Sequence, residues 1–243
     1  MIDAYRKTVA ISQSNYIPWK GYFDLIQMAD EFVLFDTAQY TRRDWRNRNR
    51  IKTPNGAAWL TIPVVVKGRY LQTVQETEIS DGSWNEYHWK TIVHNYARAP
   101  HFEAYRDCFE ELYLGCREKL LSRINFRFLV TICEILGIKT HVSWSCEYPQ
   151  VGGQTERLVK WCRELKATEY ISGPAAKAYI DESLFMETSI KVRYMDYSGY
   201  PEYKQLYGPF DHAVSIVDLI FNEGPNATRY MKGFNNVHAG LAE

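Results

Sequence analysis

The sequence carries no excess charge of either sign: 29 Lys and Arg face 29 Asp and Glu. That balance argues against bulk, sequence-independent nucleic-acid binding, whose affinity comes from many phosphate contacts. A small phosphorylated ligand remains compatible with it. No apolar run approaches the roughly 20 residues that span a bilayer. The amino end, Met1-Ile2-Asp3-Ala4-Tyr5-Arg6-Lys7, has no signal-like apolar stretch. Cys108, Cys116, Cys133, Cys146 and Cys162 are odd in number and form no CxxC pair. Neither a disulfide framework nor a zinc knuckle is therefore indicated. The expectation is a soluble cytoplasmic protein with free thiols and with no metal or cofactor. Also missing are GxSxG, Walker A and GxGxxG, so serine hydrolase, P-loop and dinucleotide-fingerprint readings lack local support.

What the chain does have is a dense basic stretch, Thr41-Arg42-Arg43-Asp44-Trp45-Arg46-Asn47-Arg48-Asn49-Arg50. Guanidinium forks suit phosphate or carboxylate, and Trp45 offers a face for a base or sugar ring. The stretch follows the apolar segment Glu31–Asp36, which places it at the carboxyl end of a buried strand, where open α/β sheets hold ligands. A solvated basic loop is the plain alternative. Aromatic residues are 15% of the chain; most serve a core, so this tilts the reading toward ring recognition only slightly.

Strand-like segments at 8–13 and 31–36 flank a helical pattern at 19–29, the signature of a parallel sheet. A further strand is expected at 58–65 and a hairpin-like excursion near 74–79. Helices are expected from Ser83, at 102–119 and at 123–136. The α/β alternation then resumes, with strands at 139–144, 168–172 and 190–196 and helices at 153–165, 213–222 and 225–232. The simplest account is one α/β domain over residues 1–243, with a mainly parallel, Rossmann-like sheet and a helical insertion or subdomain at 83–137.

Candidate chemistry collects at strand-to-helix turns. Gln13-Ser14-Asn15-Tyr16-Ile17-Pro18-Trp19-Lys20-Gly21-Tyr22 joins the first strand to the first helix, whose free amides favour an anion. Gln13, Lys20 and Tyr22 are candidate substrate contacts there, with Trp45, Arg46, Asn47, Arg48 and Arg50 from the basic stretch. The turn resembles that of nucleotidylyl transferases and class I tRNA synthetases, but Trp19-Lys20-Gly21-Tyr22 stands where they carry HxGH, without either histidine. Gly152-Gly153-Gln154-Thr155 and Ile171–Tyr179 are further glycine-bearing turns; Ser172, Gly173 and Lys177 are candidates from the second. All are expected around one crevice with Asp36. His88, His94 and His101 lack i,i+4 ligand spacing, so His94 is read instead, with Asp36, as an acid–base candidate. Asp218 sits in an apolar helix and needs a partner if buried, an arginine of the basic stretch being one option.

Taken together, Gln13–Tyr22, Ala29–Val33, Trp45–Lys52, Ser172–Tyr179, Pro201–Leu206 and Ser215–Gly224 resemble the WbqC-like protein family over essentially the full chain. The resemblance implies a place in bacterial surface-polysaccharide, commonly O-antigen, biosynthesis and the modification of an unusual sugar. The leading expectation is a transferase that puts an acyl or aminoacyl group, such as glycine, on a nucleotide-linked amino sugar. An activated thioester or an aminoacyl-tRNA would be the donor, with His94 or Asp36 taking the amine proton. The alternatives are nucleotidylyl transfer or ligation in the same cleft, or a non-catalytic sugar-nucleotide or nucleic-acid binding module.

Overall fold

The segment Thr8–Ser12 (β1) is apolar at successive positions because both of its faces are covered. A computed structural model of the protein describes residues 6–234; Met1–Tyr5 of the expected leader-free start lie outside them. Helix Lys20–Gln27 (α1) leads from β1 to the strand Glu31–Leu34 (β2), which pairs with β1 in parallel. An antiparallel hairpin follows, Arg48–Thr53 (β3) and Gly56–Thr61 (β4), outside the main sheet. Three helices come next: Trp84–Tyr96 (α2), Phe102–Leu114 (α3) and Leu121–Leu136 (α4). The sheet resumes with His141–Trp144 (β5) beside β2. Gln154–Glu164 (α5) returns the chain to Glu169–Ser172 (β6), and Glu182–Met186 (α6) connects β6 to Lys191–Tyr194 (β7). Ile216–Glu223 (α7) is the last of the seven α-helices among the described residues.

All four pairings in the main sheet are parallel, in the spatial order β5-β2-β1-β6-β7. Counting sheet strands along the chain, that is 3-2-1-4-5, the order in which doubly wound sheets begin. Alternate side chains feed two cores. Ala10, Phe32, Leu34 and Ile171 join the cluster built with α1, α2, α3, α4 and α7. Val9, Ile11, Val33 and Tyr170 join Leu158, Trp161 and Cys162 of α5 and Phe185 of α6. The order reverses between β1 and β6, and their carboxyl ends form the crevice such sheets offer to ligands.

Several expectations change in detail. The basic stretch is not all loop: Arg48 and Arg50 lie on β3, paired with Thr61 and Trp59. The turn after Ser172 opens a short 3-10 turn, Pro174–Ala178, rather than an α-helix, and so does the segment after Gly224. A pattern reading cannot separate one 3-10 turn from the first turn of an α-helix. The expected helical stretch at 83–137 contains α2, α3 and α4, whose buried residues belong to the same cluster as one sheet face.

Candidate functional site

The turn after β1 is held in an uncommon shape. Ile17 is buried with φ near 36°, a left-handed conformation that a β-branched residue rarely adopts. Asn49 fastens it: its amide nitrogen donates to the carbonyls of Tyr16 (3.1 Å) and Ile17 (2.9 Å). The Tyr16 amide donates to the Trp45 carbonyl at 3.1 Å. The Arg46 guanidinium bonds the Asn15 side chain and reaches the Gln13 carbonyl at 3.5 Å. Residues 13–19 and 45–50, distant in sequence, are thus stitched into one site. Gly21 is required beside it, since a Cβ there would lie 2.3 Å from the Trp19 indole.

A cavity of about 250 Å³ opens at this junction, lined by Asn15, Pro18, Trp19, Trp45, Asn49, His212 and Ala213. Beside it stands an exposed aromatic platform. Trp45 and Trp59 are 41% and 45% exposed with ring centroids 5.4 Å apart, and the Arg48 guanidinium lies 4.2 Å over Trp59. The Nε atoms of Arg46 and Arg48 are buried and have no hydrogen-bond partner. Such donors are costly to leave unmet.

His212 had no sequence signal, because a lone histidine in a loop names no partner. Arg50 brings it here. The Arg50 Nε donates to the Ala213 carbonyl (3.0 Å) and Nη2 to Asp211 (2.7 Å), while the Arg50 carbonyl accepts from the Ser215 amide (2.8 Å). The imidazole sits edge-on to Phe210, centroids 4.5 Å apart. Partial burial and then the charge of Lys20 lower its pKa from the usual 6.5, against Glu202 and Asp211. The ring is therefore neutral at pH 7 and able to take a proton.

Lys20 is buried, not presented to solvent. Its ammonium donates to the Pro201 carbonyl (2.9 Å) and lies 5.0 and 5.3 Å from the ring centroids of Tyr200 and Tyr203. Burial lowers its pKa to about 8, although Asp24 and Glu202 pull the other way. Tyr22 donates its hydroxyl to the Gln13 carbonyl at 2.9 Å, and Asn47 spends its amide on Tyr40 (3.0 Å) and the Ile62 carbonyl (2.7 Å). Both side chains hold the scaffold together.

Asp36 and His94 do not share the cavity. Asp36 is fully buried, accepting from the Ser14 amide at 2.8 Å and from the Ser122 hydroxyl. Burial raises its pKa, with those hydrogen bonds opposing. His94 is exposed on α2 and lines a separate cavity of about 1130 Å³ with Trp84, Trp89, Arg106 and Glu110. His88 is a core residue whose Nδ1 is 2.8 Å from the Tyr16 hydroxyl, and burial lowers its pKa to about 4. Ser172 ends β6, which pairs with β1, and Gly173 follows it. A Cβ on Gly173 would lie 3.9 Å from the Tyr197 hydroxyl, and Tyr197 packs on Trp19 with centroids 5.1 Å apart. They approach the Trp19 side of the cavity without lining it, and the Lys177 ammonium rests 5.1 Å over the Tyr194 ring. The Gly152-Gly153 turn is closed by its own chain: the Gly153 amide donates to Glu156 at 2.8 Å.

Asp218 is also fully buried, but no arginine meets it. It accepts from Tyr96 (2.8 Å), Tyr203 (2.7 Å) and Gln205 (2.9 Å). Of the basic stretch, Arg50 is committed to Asp211 instead.

The fold defines an α/β protein with a parallel sheet, and beside the turn after its first strand lie an aromatic platform, unmet guanidinium donors and an imidazole. Within that class, the chain belongs to the WbqC-like protein family, whose model matches residues 13–230. It is 51% identical over 226 residues to a protein of Mycobacterium tuberculosis (strain ATCC 25618 / H37Rv) called "Uncharacterized protein Rv1507c", covering 93% of this chain and 98% of that one. No solved structure matches the chain. Among the described residues, no helix is long and apolar enough to cross a membrane.

Proposed function

We propose that this protein is a transferase that acylates or aminoacylates the amine of a nucleotide-linked amino sugar during bacterial surface-polysaccharide biosynthesis. The observation that carries the reading is the junction of an aromatic–guanidinium platform with a small, largely apolar cavity that His212 lines. The base or sugar stacks on Trp45 and Trp59, and the pyrophosphate takes the unmet donors of Arg46 and Arg48. The sugar amine enters the cavity. There the amine nitrogen attacks the carbonyl carbon of an activated donor, a thioester or an aminoacyl ester. The C–N bond forms, the bond to the thiol or ribose oxygen breaks, and the amine proton passes to the His212 imidazole. His212 takes the role that sequence reasoning assigned to His94 or Asp36, because it lines the cavity and they do not.

Family membership supports the polysaccharide setting. A competing reading, a nucleic-acid or sugar-nucleotide binding module, draws support from the exposed Arg42 and Arg43 beside Trp45. One experiment separates them: purified protein is mixed with nucleotide-linked amino sugars and acyl-thioester or aminoacyl-tRNA donors, and product masses are read. A donor-dependent mass gain on the sugar is expected. Binding without any mass gain, across the whole donor panel, would leave the binding module standing.

A further inference from the structure

A third cavity, of about 570 Å³, lies beyond the carboxyl ends of β2 and β5 and is lined by residues that no part of the proposed transfer uses. Its charges are two of each sign: Arg69 and Arg123 against Glu76 and Glu78. Arg69 and Glu78 satisfy one another at 2.9 Å. That leaves one cation and one carboxylate unpaired with each other. The Arg123 guanidinium lies over the Trp144 ring, 4.6 Å from its centroid, and makes no hydrogen bond or ion pair among the described residues. A guanidinium stacked in this way keeps its in-plane N–H groups free and pre-oriented. Glu76 accepts from the Thr73 amide and hydroxyl, both at 2.9 Å, but has no cation.

Two buried acceptors are also unmet. Gln72 is only 9% exposed, and its amide orientation follows from the bond its nitrogen donates to the Val65 carbonyl at 2.8 Å. Its Oε1 is therefore a true acceptor, and it has no partner; the Oε1 of Gln75 is likewise buried and unpartnered. Leaving such an oxygen unmet is costly, so both favour a ligand with N–H donors. Leu120 and Trp144 supply apolar wall, and Ser122 ties the cavity to the buried Asp36.

We infer that this cavity binds a free α-amino acid, its carboxylate on Arg123 and its ammonium among Gln72, Gln75 and Glu76. A simple anion would leave both amide oxygens unmet, and a simple amine would leave Arg123 unmet. Only a molecule with both groups answers every free partner. This cavity shares no lining residue with the one that His212 lines.

The test is calorimetric titration of the full-length protein, without nucleotide sugar, using glycine, L-alanine and L-tyrosine, with acetate, ethylamine and phosphate as controls. At least one amino acid should bind and the three controls should not. Arg123→Ala and Gln75→Leu should each weaken that binding by about tenfold or more, the loss expected for a charged or otherwise unmet hydrogen bond. Arg123→Lys should recover only part of it. Arg123 is exposed, so its loss leaves the core in place, and unchanged thermal unfolding would document that. No binding by any of the three amino acids overturns the inference. So does acetate or phosphate binding as tightly as an amino acid, or binding that both variants leave untouched. Because acyl transfer is not measured, failure here leaves the transferase reading intact, and its failure leaves this site intact.

Discussion

The buried carboxylates and the basic stretch handle charge in opposite ways. Asp36 and Asp218 are fully buried, and each is met by two or three hydroxyl or amide donors. Asp24 follows the same rule, accepting from Tyr200 (2.5 Å) and from the Lys232 (2.8 Å) and Gly233 (2.7 Å) amides. Arg46 and Arg48, only partly buried, leave an Nε each without a partner. The first group uses its charge to join distant segments: Asp218 ties α7 to α2 and to the 203–205 loop. The second group keeps donors that no protein group meets among the described residues. A fully satisfied charge reads as architecture; an unsatisfied one beside an exposed ring pair reads as recognition.

The comparison predicts different failures. The largest belongs to Asp218→Ala, which strips partners from Tyr96, Tyr203 and Gln205 at once. At about 1–3 kcal/mol for each donor left unmet, a loss of about 3 kcal/mol or more is expected by denaturant unfolding. A loss below 1 kcal/mol would show that Asp218 is no keystone.

His212→Ala should come next, slowing acyl transfer by about 10²-fold, the usual contribution of a positioned base, without measurable loss of stability. Its lowered pKa sets the pH profile: the ring is neutral across pH 7, so activity should hold on mild acidification and fall only once the imidazole protonates. A profile that already declines between pH 8 and 7 would point to a different base.

Arg48→Ala or Trp59→Ala should weaken nucleotide-sugar binding by about 1–3 kcal/mol, typical of a charged hydrogen bond or a stacked base, while unfolding stays unchanged. Arg50→Ala should behave otherwise. It should slow transfer by displacing the His212 loop more than it weakens binding, a split between kcat and KM that a phosphate-gripping arginine would not produce.

A smaller effect concerns pH and stability. Burial raises the pKa of Asp218 above its ordinary 3.8, against the bonds from Tyr203, Tyr96 and Gln205. Between 3.8 and the raised value the folded state holds more protons than the unfolded one, so stability rises as pH falls through that window. Asp218→Asn removes the titration. The stability of the parent relative to that variant should therefore grow on acidification from pH 7 toward 4, and a parent that loses ground would refute the direction. The smallest effect is expected of the cysteines. Burial raises the thiol pKa of Cys116, Cys133 and Cys162, with Cys133 pushed up to about 12. Cys→Ser at each position should leave turnover near normal, with no acyl adduct in the protein mass.

Much of this was legible in the chain. Unbroken apolar runs such as Val9-Ala10-Ile11 and Phe32-Val33-Leu34 announce strands covered on both faces, and the helix between them implies parallel pairing. The density of arginine beside tryptophan singles out a stretch whose side chains the fold gathers with the turn after β1, because clustered guanidinium groups are costly to hold together unless something answers them. The roles within that stretch were not legible. Arg46, Arg48 and Arg50 are chemically alike, yet one clasps Asn15, one lies on Trp59 and one anchors Asp211 and Ala213.

Local pattern thus determined most element types and the parallel sheet, and it singled out the basic segment, since periodicity and charge density are properties of neighbouring residues. Only the tertiary structure decided which side chains meet. It buried Asp36 behind Ser14 and Ser122, put His94 on a different cavity, and brought His212 to Trp45 and Asn15 across more than 160 positions of chain. The physical reason is that a hydrogen bond or a shared cavity depends on separation in space, which a sequence pattern does not encode until the core has packed.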